Sequence, residues 1–514
     1  MSTISHRFFN AARATPGKVA LWCDGADISY GDLAACVARW SSMLRINNVV
    51  RGDHIAVLLP NSAEFVVLML AAADIGAVLV PLNMSLPPAA VSKAFHASDV
   101  QHVVAAGHVI AALLDEPGAD FSGAGGLWVA VGEVASDRAG RAQSLARLLD
   151  GAAPDAEPAF AAQTGDPYIL TMTSGSTGDP KPIVLTQRTK LNRAAAAVEM
   201  YGVTAGDRTL AATPLYHSLA ERLVLIPLLT GGTAVLMSRF SPAEWMRVVA
   251  DQAVSFTIAV SSQLNQIAAL IQKSNAAQLV SLRCVVSSSA LLDTAVKKDL
   301  VEKLRCDFHE CYGASEIAIA SNLDAAAAAG KLKSVGKAAA GVEINIIGTD
   351  NQPVAAGEPG EIVCRTPMLF GGYYRRPEQT QAAMWGEFFR TGDLGRVDDE
   401  GFLYFLGRKK EIIITGGINV YPADIEATVA DTGTTHEVAA FSLPDERLGE
   451  IIAVALVPKN PDDFNLKAMR LHCARHLADY QQPRKWFILD ALPKNPMGKI
   501  MKSMLQSQCG NINQ

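Results

Sequence analysis

Apolar and polar positions follow two alternating patterns over the first 400 residues, and each pattern predicts a different element. Residues 65–73 are apolar almost throughout, as in a buried helix, and residues 77–81 have the short apolar run of a buried strand. The same order recurs at residues 223–229 and 233–237, which two glycines separate. Helices that alternate with strands are typical of layered folds, so the pattern predicts an α/β protein.

The pattern changes from about residue 340, where short strands are expected to pair in antiparallel order. Residues 342–346 alternate apolar with polar positions, and residues 360–364 follow a turn of glycine and proline. A tail of about 105 residues begins near Gly407 and mixes helical with strand patterns. That length is enough for a separate small domain.

Three further segments have compositions that predict local structure. Residues 116–126 and 151–167 are rich in glycine, alanine, proline and aspartate, which indicates exposed loops. Five alanines at 325–329, followed by Gly330, predict a surface helix that ends at the glycine.

Length, composition and charge restrict the class of protein. The 514 residues are 49% hydrophobic and carry a net charge of −6, so we expect several globular units and no binding surface for nucleic acid. The most apolar stretch, residues 65–82, is interrupted by Asp74, Gly76 and Pro81, which argues against a membrane span. No secretory signal is recognisable, and the eight cysteines form no C-x-x-C pair, so reduced thiols in a cytoplasmic protein are expected.

The segment from Thr173 to Pro182 carries the strongest chemical signal and reads Thr-Ser-Gly-Ser-Thr-Gly-Asp-Pro-Lys-Pro. Apolar residues 168–170 and 183–185 flank it, so it is expected to be a tight loop between two strands. Glycines let backbone N–H groups converge on an anion, hydroxyl groups donate further hydrogen bonds, and Lys181 adds a positive charge. A phosphate-binding loop and a polar hairpin turn both fit this segment taken alone.

Further motifs downstream separate these two explanations. In chain order they are Pro214-Leu215-Tyr216-His217, Tyr312-Gly313-Ala314-Ser315-Glu316, Arg390-Thr391-Gly392-Asp393, Gly407-Arg408-Lys409-Lys410 with a glycine-rich stretch at 416–422, and Pro493-Lys494-Asn495-Pro496-Met497-Gly498-Lys499. Each has an ordinary structural explanation by itself. Together with the loop they resemble the acyl-adenylate-forming superfamily over essentially the whole chain. That superfamily includes acyl- and aryl-CoA ligases, peptide-synthetase adenylation domains and luciferases.

The resemblance implies a fold of two unequal parts. Residues 1–407 would form a large N-terminal adenylate-forming domain of two α/β sheet layers and a distorted β-barrel. Residues 408–514 would form a small, mobile α+β C-terminal domain with its hinge at Lys410. Rotation of this small domain would let one cleft serve two reaction steps.

The resemblance also implies a site for ATP and Mg²⁺. The residues expected to bind the nucleotide are Thr173, Ser174, Gly175, Ser176, Thr177, Gly178 and Lys181 at the phosphates, Ser289 and Ala290 at the adenine, and Tyr312, Gly313, Ser315, Asp393 and Arg408 around the α-phosphate and ribose. Glu316 would hold Mg²⁺, a cation that prefers carboxylate and phosphate oxygens. The expected catalytic set is Lys499 at the reacting carboxylate and α-phosphate, Glu316, and His217 in the acyl pocket.

Several positions depart from the family pattern around the substrates. The adenine segment, usually Gly-Gly-Ala-Pro, is Ser-Ser-Ser-Ala-Leu at 287–291, and Val-Pro-Thr of the acyl pocket is Val-Ser-Ser at 260–262. Ser218 stands where amino-acid-activating relatives usually carry aspartate, which argues against an amino-acid substrate. Glu221 and Arg222 fit either a polar or second carboxylate group of the acid or, as the preferred explanation, solvated or salt-bridged surface residues.

These features predict an ATP-dependent carboxylic acid–CoA ligase that forms an acyl-AMP intermediate and then a thioester with coenzyme A. A stand-alone enzyme that loads the acyl group onto a carrier protein's phosphopantetheine needs the same residues and is the alternative. A non-catalytic nucleotide-binding homologue is a third class, against which the joint presence of Lys181, Glu316, Asp393, Arg408 and Lys499 argues. The sequence leaves the acid open among medium-chain fatty, aromatic and alicyclic acids, and also leaves open whether the chain forms a homodimer.

Overall fold

The computed structural model describes residues 2–116, 118–133, 141–153, 157–174, 180–271, 276–495 and 498–510. Of the residues expected to bind phosphate, Gly175, Ser176, Thr177 and Gly178 therefore lie outside the described residues.

The helices of the described ranges are α1 Ile4–Ala14, α2 Tyr30–Ile46, α3 Ala63–Ile75, α4 Pro88–Ala97, α5 Gly107–Asp115, α6 Leu145–Asp150, α7 Gln187–Tyr201, α8 Ser218–Thr230, α9 Pro242–Asp251, α10 Ser261–Ile271, α11 Thr294–Leu304, α12 Pro377–Ala382, α13 Pro422–Ala430, α14 Leu466–His476 and α15 Lys502–Gly510.

The strands of the N-terminal two thirds are β1 Val19–Cys23, β2 Ala26–Ser29, β3 His54–Leu58, β4 Val78–Pro81, β5 His102–Ala106, β6 Trp128–Val131, β7 Gln143–Ser144, β8 Pro167–Ser174, β9 Pro180–Thr186, β10 Arg208–Ala211, β11 Thr233–Leu236, β12 Phe256–Val260, β13 Cys284–Ser288, β14 Asp307–Tyr312, β15 Ser321–Asp324 and β16 Lys337–Ala338. The later strands are β17 Glu343–Ile347, β18 Gly360–Arg365, β19 Met384–Trp385, β20 Phe388–Val397, β21 Leu403–Arg408, β22 Ile413–Thr415, β23 Ile418–Val420, β24 Thr435–Asp445, β25 Gly449–Pro458 and β26 Lys485–Ile488.

Two large sheets form the body of the protein and confirm the predicted α/β fold. The nine-stranded sheet has the order β16-β15-β14-β13-β12-β10-β11-β1-β2, and the seven-stranded sheet has the order β7-β6-β5-β3-β4-β8-β9. Helices α1, α2, α3, α7 and α8 pack against one another, and their buried apolar side chains join those of both sheets in one core. Strands that alternate with covering helices explain the two apolar patterns in the sequence.

Local sequence explains where the core helices begin and end. The hydroxyl of Ser62 accepts a hydrogen bond from the backbone N–H of Phe65 at the start of α3. Gly76 and Gly231 adopt left-handed backbone with φ of 79° and 84° at the ends of α3 and α8. A residue without a Cβ adopts this conformation at no steric cost, so both glycines terminate their helices. The helices and strands predicted from residues 65–81 and 223–237 are confirmed.

A third, antiparallel sheet follows the two large ones. Strands β17, β18, β20 and β19 pair in that order, and β21 pairs with β20. Strands β17 and β18 confirm the antiparallel pair expected from the alternating residues near 342–346 and 360–364. The pairings of the described strands close no ring, and the distorted barrel stays a prediction.

A small α+β unit occupies the C-terminal part. Its sheet has the order β23-β22-β25-β24, with β26 paired to β25, and helices α13, α14 and α15 accompany it. Two separate apolar clusters, one on each face of the paired strands β24 and β25, give it a core of its own. A large N-terminal part and a small C-terminal part are thus present, whereas the exact boundary at 407 and 408 stays a prediction.

The predicted alanine helix at 325–329 is wrong. The segment forms a turn that leads into a short 3₁₀ helix at Ala329–Lys331. The carboxylate of Asp324 accepts hydrogen bonds from the backbone N–H groups of Ala326 and Ala327. Because this side chain offers the backbone N–H groups an alternative partner, it favours a turn over the helix that alanine alone would form. Ala325 is buried rather than exposed.

Cysteine burial and helix hydropathy complete the description of the fold. None of the eight cysteines, all of which lie in the described ranges, forms a disulfide, and six of them are buried. Within the described ranges, no helix is both long enough and apolar enough to cross a membrane.

Candidate active site

The expected site residues gather at one edge of the nine-stranded sheet. Strands β10, β12, β13 and β14 run parallel, and the segments with Thr213, Ser261, Ser289 and Gly313 follow their carboxyl ends. Ligands of open α/β sheets bind in the crevice outside these carboxyl ends. The strand order thus brings motifs from more than 100 residues of sequence to a single cleft.

Asp393 lies at one end of the cleft and contacts two other expected site residues. Its carboxylate is buried, accepts a 2.8 Å hydrogen bond from the Tyr312 hydroxyl, and lies 3.5 Å from Nε of Arg408. Strand pairing sets Asp393 directly opposite Arg408. Burial raises the pKa of Asp393, while Arg408 and the Tyr312 hydroxyl oppose the rise. Three expected nucleotide-binding residues are therefore joined by one hydrogen bond and one ion pair.

Glu316 and Lys181 lie together at a second point of the cleft. The Tyr373 hydroxyl donates a 2.9 Å hydrogen bond to Oε1 of Glu316, and Nζ of Lys181 lies 3.2 Å from the centre of the Tyr373 ring. Burial lowers the pKa of Lys181, with Glu316 opposing the shift and the charges of Arg376 and Lys410 adding to it. Strand pairing places Thr173 opposite Lys181. Tyr373 joins two expected site residues, although no motif pointed to it.

Arg193 is a second residue that the motifs missed. It is fully buried on α7, and its guanidinium donates hydrogen bonds to the backbone carbonyls of Ser315 and Glu316 at 2.9 and 3.0 Å. It also donates to the carbonyl of Met368 at 3.1 Å. The sequence offered one signal for this role: an arginine stands among the apolar, buried positions of a helix. Such residues are rarely buried without partners. Arg193 fixes the turn that carries Ser315 and Glu316.

A single carboxylate, Glu316, stands at the expected metal position. Among the described side chains, no three histidines, cysteines, aspartates or glutamates gather as a metal cluster. One carboxylate beside a lysine fits Mg²⁺ held chiefly by phosphate oxygens and water, because that ion keeps several non-protein ligands. The donor set is therefore compatible with a metal that arrives with its nucleotide.

The C-terminal unit brings Lys499 to the same cleft. Burial lowers the pKa of Lys499, the charge of Arg408 adds to the shift, and the charges of Glu411 and Asp393 oppose it. The side chain of Asn495 accepts a hydrogen bond from the Lys499 backbone N–H at 2.9 Å. Lys410, the expected hinge, lies in a short 3₁₀ helix at Lys409–Glu411. Lys499 thus lies near the Asp393 carboxylate, more than 100 residues away in sequence.

Close packing between the two parts requires glycine at position 498. A Cβ on Gly498 would lie 2.1 Å from Oγ of Ser262 and 2.5 Å from its Cβ, at the start of α10. Beside this contact is a cavity of about 460 Å³, lined by Asn61, Met84, Thr213, Tyr216 and Lys494 among others. The small C-terminal unit therefore covers the cleft, and a cavity remains at the edge of their contact.

The serines that depart from the family pattern contact one another. The Ser261 hydroxyl donates to the backbone carbonyl of Ala290 and lies 3.3 Å from the Ser287 hydroxyl. Ser289, at the expected adenine position, has φ of 78°, a left-handed conformation that favours glycine. Ser289 therefore adopts a backbone conformation that glycine favours, and the Ser261 hydroxyl bonds to the next residue of the same loop.

We expect Ser289→Gly to stabilise the protein by about 1 kcal/mol, because glycine relieves the strain of positive φ. Ser289 is exposed, so little side-chain contact is lost. The matched control is Ser288→Gly, where φ is not positive and the same change is expected to destabilise the fold. Chemical denaturation of both variants checks this. A lower free energy of unfolding for Ser289→Gly would contradict the strain.

His217 precedes α8 as its N-terminal cap residue. Its Nε2 is buried and has no hydrogen-bond partner among the described residues. The centre of its ring lies 4.5 Å from the centre of the Tyr216 ring. Burial lowers the pKa of His217 to about 4, so the ring is neutral at physiological pH. The histidine thus offers a neutral donor or acceptor to an incoming group.

The preferred explanation of Glu221 and Arg222 as surface residues is wrong. Glu221 is 1% exposed and Arg222 is 8% exposed. Glu221 is salt-bridged, as one part of that explanation held, but its partner is the buried Lys190 on α7 at 2.5 Å. The all-round burial of α8 between helices and sheet removes the solvent-facing side that the sequence pattern suggested.

Loss of stability between pH 6.5 and pH 4 is the expected consequence of the His217 environment. The unfolded state takes up a proton near pH 6.5 and the folded state near pH 4, so stability falls as the pH falls. The shift corresponds to about 3 kcal/mol. His217→Phe keeps a ring without the titration, and its unfolding free energy should fall less over this range. Equal pH dependence of both proteins would contradict the shift.

A sheet edge with these nucleotide-directed groups, covered by a small unit that brings a lysine, defines the class of adenylate-forming enzymes. The chain belongs to the AMP-binding enzyme family: its family model matches residues 8–374, and that of the AMP-binding enzyme C-terminal domain matches residues 424–499.

Relatives and solved structures agree with this membership over nearly the full chain. The long-chain-fatty-acid–CoA ligase FadD13 of Mycobacterium tuberculosis is 33% identical over 94% of this chain and 93% of its own length. The indoleacetate–CoA ligase of Aromatoleum aromaticum is 31% identical over 95% of this chain and 94% of its own. The structure of o-succinylbenzoate CoA synthetase from Bacillus subtilis with its acyl-adenylate intermediate superimposes with a TM-score of 0.83, at 26% identity and 97% coverage of both chains.

Proposed function

We propose that this protein is an ATP-dependent carboxylic acid–CoA ligase that forms an acyl-AMP intermediate and then a thioester. The observation that carries the proposal is the meeting of Asp393, Glu316, Lys181 and Lys499 at one sheet edge. The relatives named above are CoA ligases, which supports coenzyme A as the acyl acceptor.

The first half-reaction joins two anions. A carboxylate oxygen attacks the α-phosphorus of ATP, a new P–O bond forms, and the bond to pyrophosphate breaks. Negative charge builds up on the phosphoryl oxygens, so positioned positive groups provide most of the catalysis. Lys181, with Thr173, Ser174 and the glycine loop, would hold the β- and γ-phosphates. Lys499 would bridge the carboxylate and the α-phosphate.

The remaining nucleotide contacts follow from donor and acceptor chemistry. Two vicinal ribose hydroxyls suit one carboxylate with two oxygens, and Asp393 is that carboxylate. Tyr312 and Arg408 orient it by the hydrogen bond and ion pair described above. Ser315 and the backbone at Gly313 would contact the α-phosphate. The adenine would lie on the loop of Ser289 and Ala290.

Mg²⁺ would be held by Glu316. When bound, the ion neutralises phosphate charge and orients the leaving pyrophosphate. Tyr373 fixes one oxygen of the Glu316 carboxylate and leaves the other available. Arg193 holds the backbone of the same residue, so the ligand is positioned from two directions.

In the second half-reaction the thiol of coenzyme A attacks the acyl carbon. A C–S bond forms, the bond from acyl carbon to phosphate oxygen breaks, and AMP leaves. We infer that rotation at Lys410 withdraws Lys499 and brings Gly416 and Gly417 to the cleft for this step.

The test is product formation by the purified chain with ATP, Mg²⁺, coenzyme A and a panel of carboxylic acids. AMP and an acyl-CoA should appear in equal amounts. A parallel reaction replaces coenzyme A with a carrier protein that bears phosphopantetheine. Acyl-AMP without acyl-CoA, together with loading of the carrier protein, would contradict the ligase proposal and support the carrier-loading enzyme. No pyrophosphate exchange with any acid would contradict both.

A further inference from the structure

Helices α7 and α8 enclose a group of buried charges that the nucleotide chemistry does not use. Lys190 and Arg193 on α7 face Glu221 and Arg222 on α8, and each of the four side chains is at least nine-tenths buried. The group holds three basic side chains and one acidic side chain. Charged side chains are almost never buried without partners, so each of them needs an explanation.

Three of the four charges have partners. Nζ of Lys190 lies 2.5 Å from Oε2 of Glu221 and 3.4 Å from the Ser218 hydroxyl. Arg193 donates to the backbone carbonyls behind Ser315 and Glu316. These contacts explain Lys190, Arg193 and Glu221 as structural supports of the site.

Arg222 has no such partner. Its Nε is buried without a hydrogen bond, and no described residue forms a hydrogen bond or an ion pair with its guanidinium. The carboxylate of the neighbouring Glu221 contacts Lys190 instead, and its second oxygen is also unpartnered. Burial of an uncompensated charge costs several kcal/mol. A protein retains such a charge where it meets a ligand.

The position of Arg222 points to the acid rather than to the nucleotide. It lies one helical turn after Ser218, on the same face of α8. The cap residue His217 precedes this helix at the same end, and its buried Nε2 has no partner among the described residues. Burial raises the pKa values of Tyr201 and Cys311, and the charge of Arg222 opposes both rises. Cys311 immediately precedes Tyr312 at the carboxyl end of β14. Arg222 is therefore near β14, the strand that ends at Tyr312 and leads into the cleft.

We propose that Arg222 binds a second carboxylate of the substrate, so that the acid activated by this enzyme is a dicarboxylic acid. The planar guanidinium presents paired donors that match a carboxylate. One carboxylate of the acid would react at the phosphate end near Lys499, and the other would neutralise the buried Arg222. This inference rests on the proposed acid–CoA ligase function and specifies its substrate class.

The experiment compares matched acids in pyrophosphate exchange and in acyl-CoA formation. Succinic, glutaric, adipic, suberic and terephthalic acids are paired with monocarboxylic acids of the same skeleton. The enzymes are the wild type, Arg222→Leu and Arg222→Lys, with Arg247→Leu as the control because Arg247 is an exposed residue on α9. At least one dicarboxylic acid should have the higher kcat/KM in the wild type. Arg222→Leu should lower that value by about a hundredfold and spare the monocarboxylic partner.

Two further readouts separate binding from folding. Arg222→Leu should unfold at a higher temperature than the wild type in the absence of ligand, because it removes an unpaired buried charge. The best dicarboxylic acid with AMP should raise the unfolding temperature of the wild type and of Arg247→Leu, but not that of Arg222→Leu. Arg222→Lys should recover part of both effects.

A wild type that prefers monocarboxylic acids, with the same preference in Arg222→Leu, would overturn the dicarboxylate inference and leave the ligase function intact. Failure of the wild type to activate any acid of either series would contradict the proposed ligase function itself.

Discussion

Lys499→Ala is expected to lower the rate of acyl-AMP formation by about a hundred- to a thousandfold, while thioester formation from supplied acyl-AMP changes little. Lys499 is the positive group that the small C-terminal unit brings beside Asp393 and Arg408. In the proposed reaction its charge is needed while the carboxylate attacks the α-phosphorus, and it would have no role once the phosphoanhydride is broken. Pyrophosphate exchange measures the first step, and single-turnover conversion of synthetic acyl-AMP with coenzyme A measures the second.

The control for this variant is Lys467→Ala, because Lys467 is an exposed lysine on α14 of the same unit. It should leave both half-reactions unchanged. Equal loss of both half-reactions in Lys499→Ala, with an intact fold, would contradict the assignment of the lysine to a single step.

Lys410→Pro is expected to have the opposite effect. Proline fixes φ near −65° and is tolerated in the first turn of a helix, where Lys410 lies, so the observed arrangement should persist. The rotation needed for the second step would be blocked. We expect thioester formation to fall by about a hundredfold, since misplaced reacting groups lose about that much, while acyl-AMP formation continues.

Lys410→Ala is the matched control, because it removes the same side chain and leaves the backbone free to rotate. It should form both acyl-AMP and acyl-CoA at nearly the wild-type rates. Loss of the second step in both Lys410 variants would assign the effect to the charge instead of the hinge. Together with Lys499→Ala, Lys410→Pro would separate the two half-reactions in both directions.

Much of the fold could be predicted because the apolar pattern reports burial directly. Residues 65–81 and 223–237 are buried except around the turn at 229–231, and continuous apolar runs of helical and strand length predicted their elements. The two strands that flank residues 175–179 were also predictable, and β8 pairs with β9. The prediction of a helix at residues 325–329 was wrong because the hydrogen bonding of a single side chain, Asp324, outweighs the helix propensity of alanine.

Residues of the candidate site could be predicted where they stand in a sequence motif. Residues that hold the site through packing between distant segments could not. Asp393, Arg408 and Tyr312 stand in recognisable motifs, and they meet in the structure. Tyr373 and Arg193 hold Glu316 through contacts between segments distant in sequence. No local sequence pattern therefore predicted these contacts. Glu221 and Arg222 were misjudged for a related reason: a charged pair on a helix indicates a solvated face unless another element covers it.

The central claim is that the carboxylate of the acid attacks the α-phosphorus of ATP. The most direct measurement uses an acid labelled with oxygen-18 in its carboxylate groups, and mass spectrometry of the products after reaction with ATP, Mg²⁺ and coenzyme A. We expect the AMP to gain one labelled oxygen and the pyrophosphate to gain none. Label in inorganic phosphate, with ADP as the nucleotide product, would show attack on the γ-phosphorus and contradict the account.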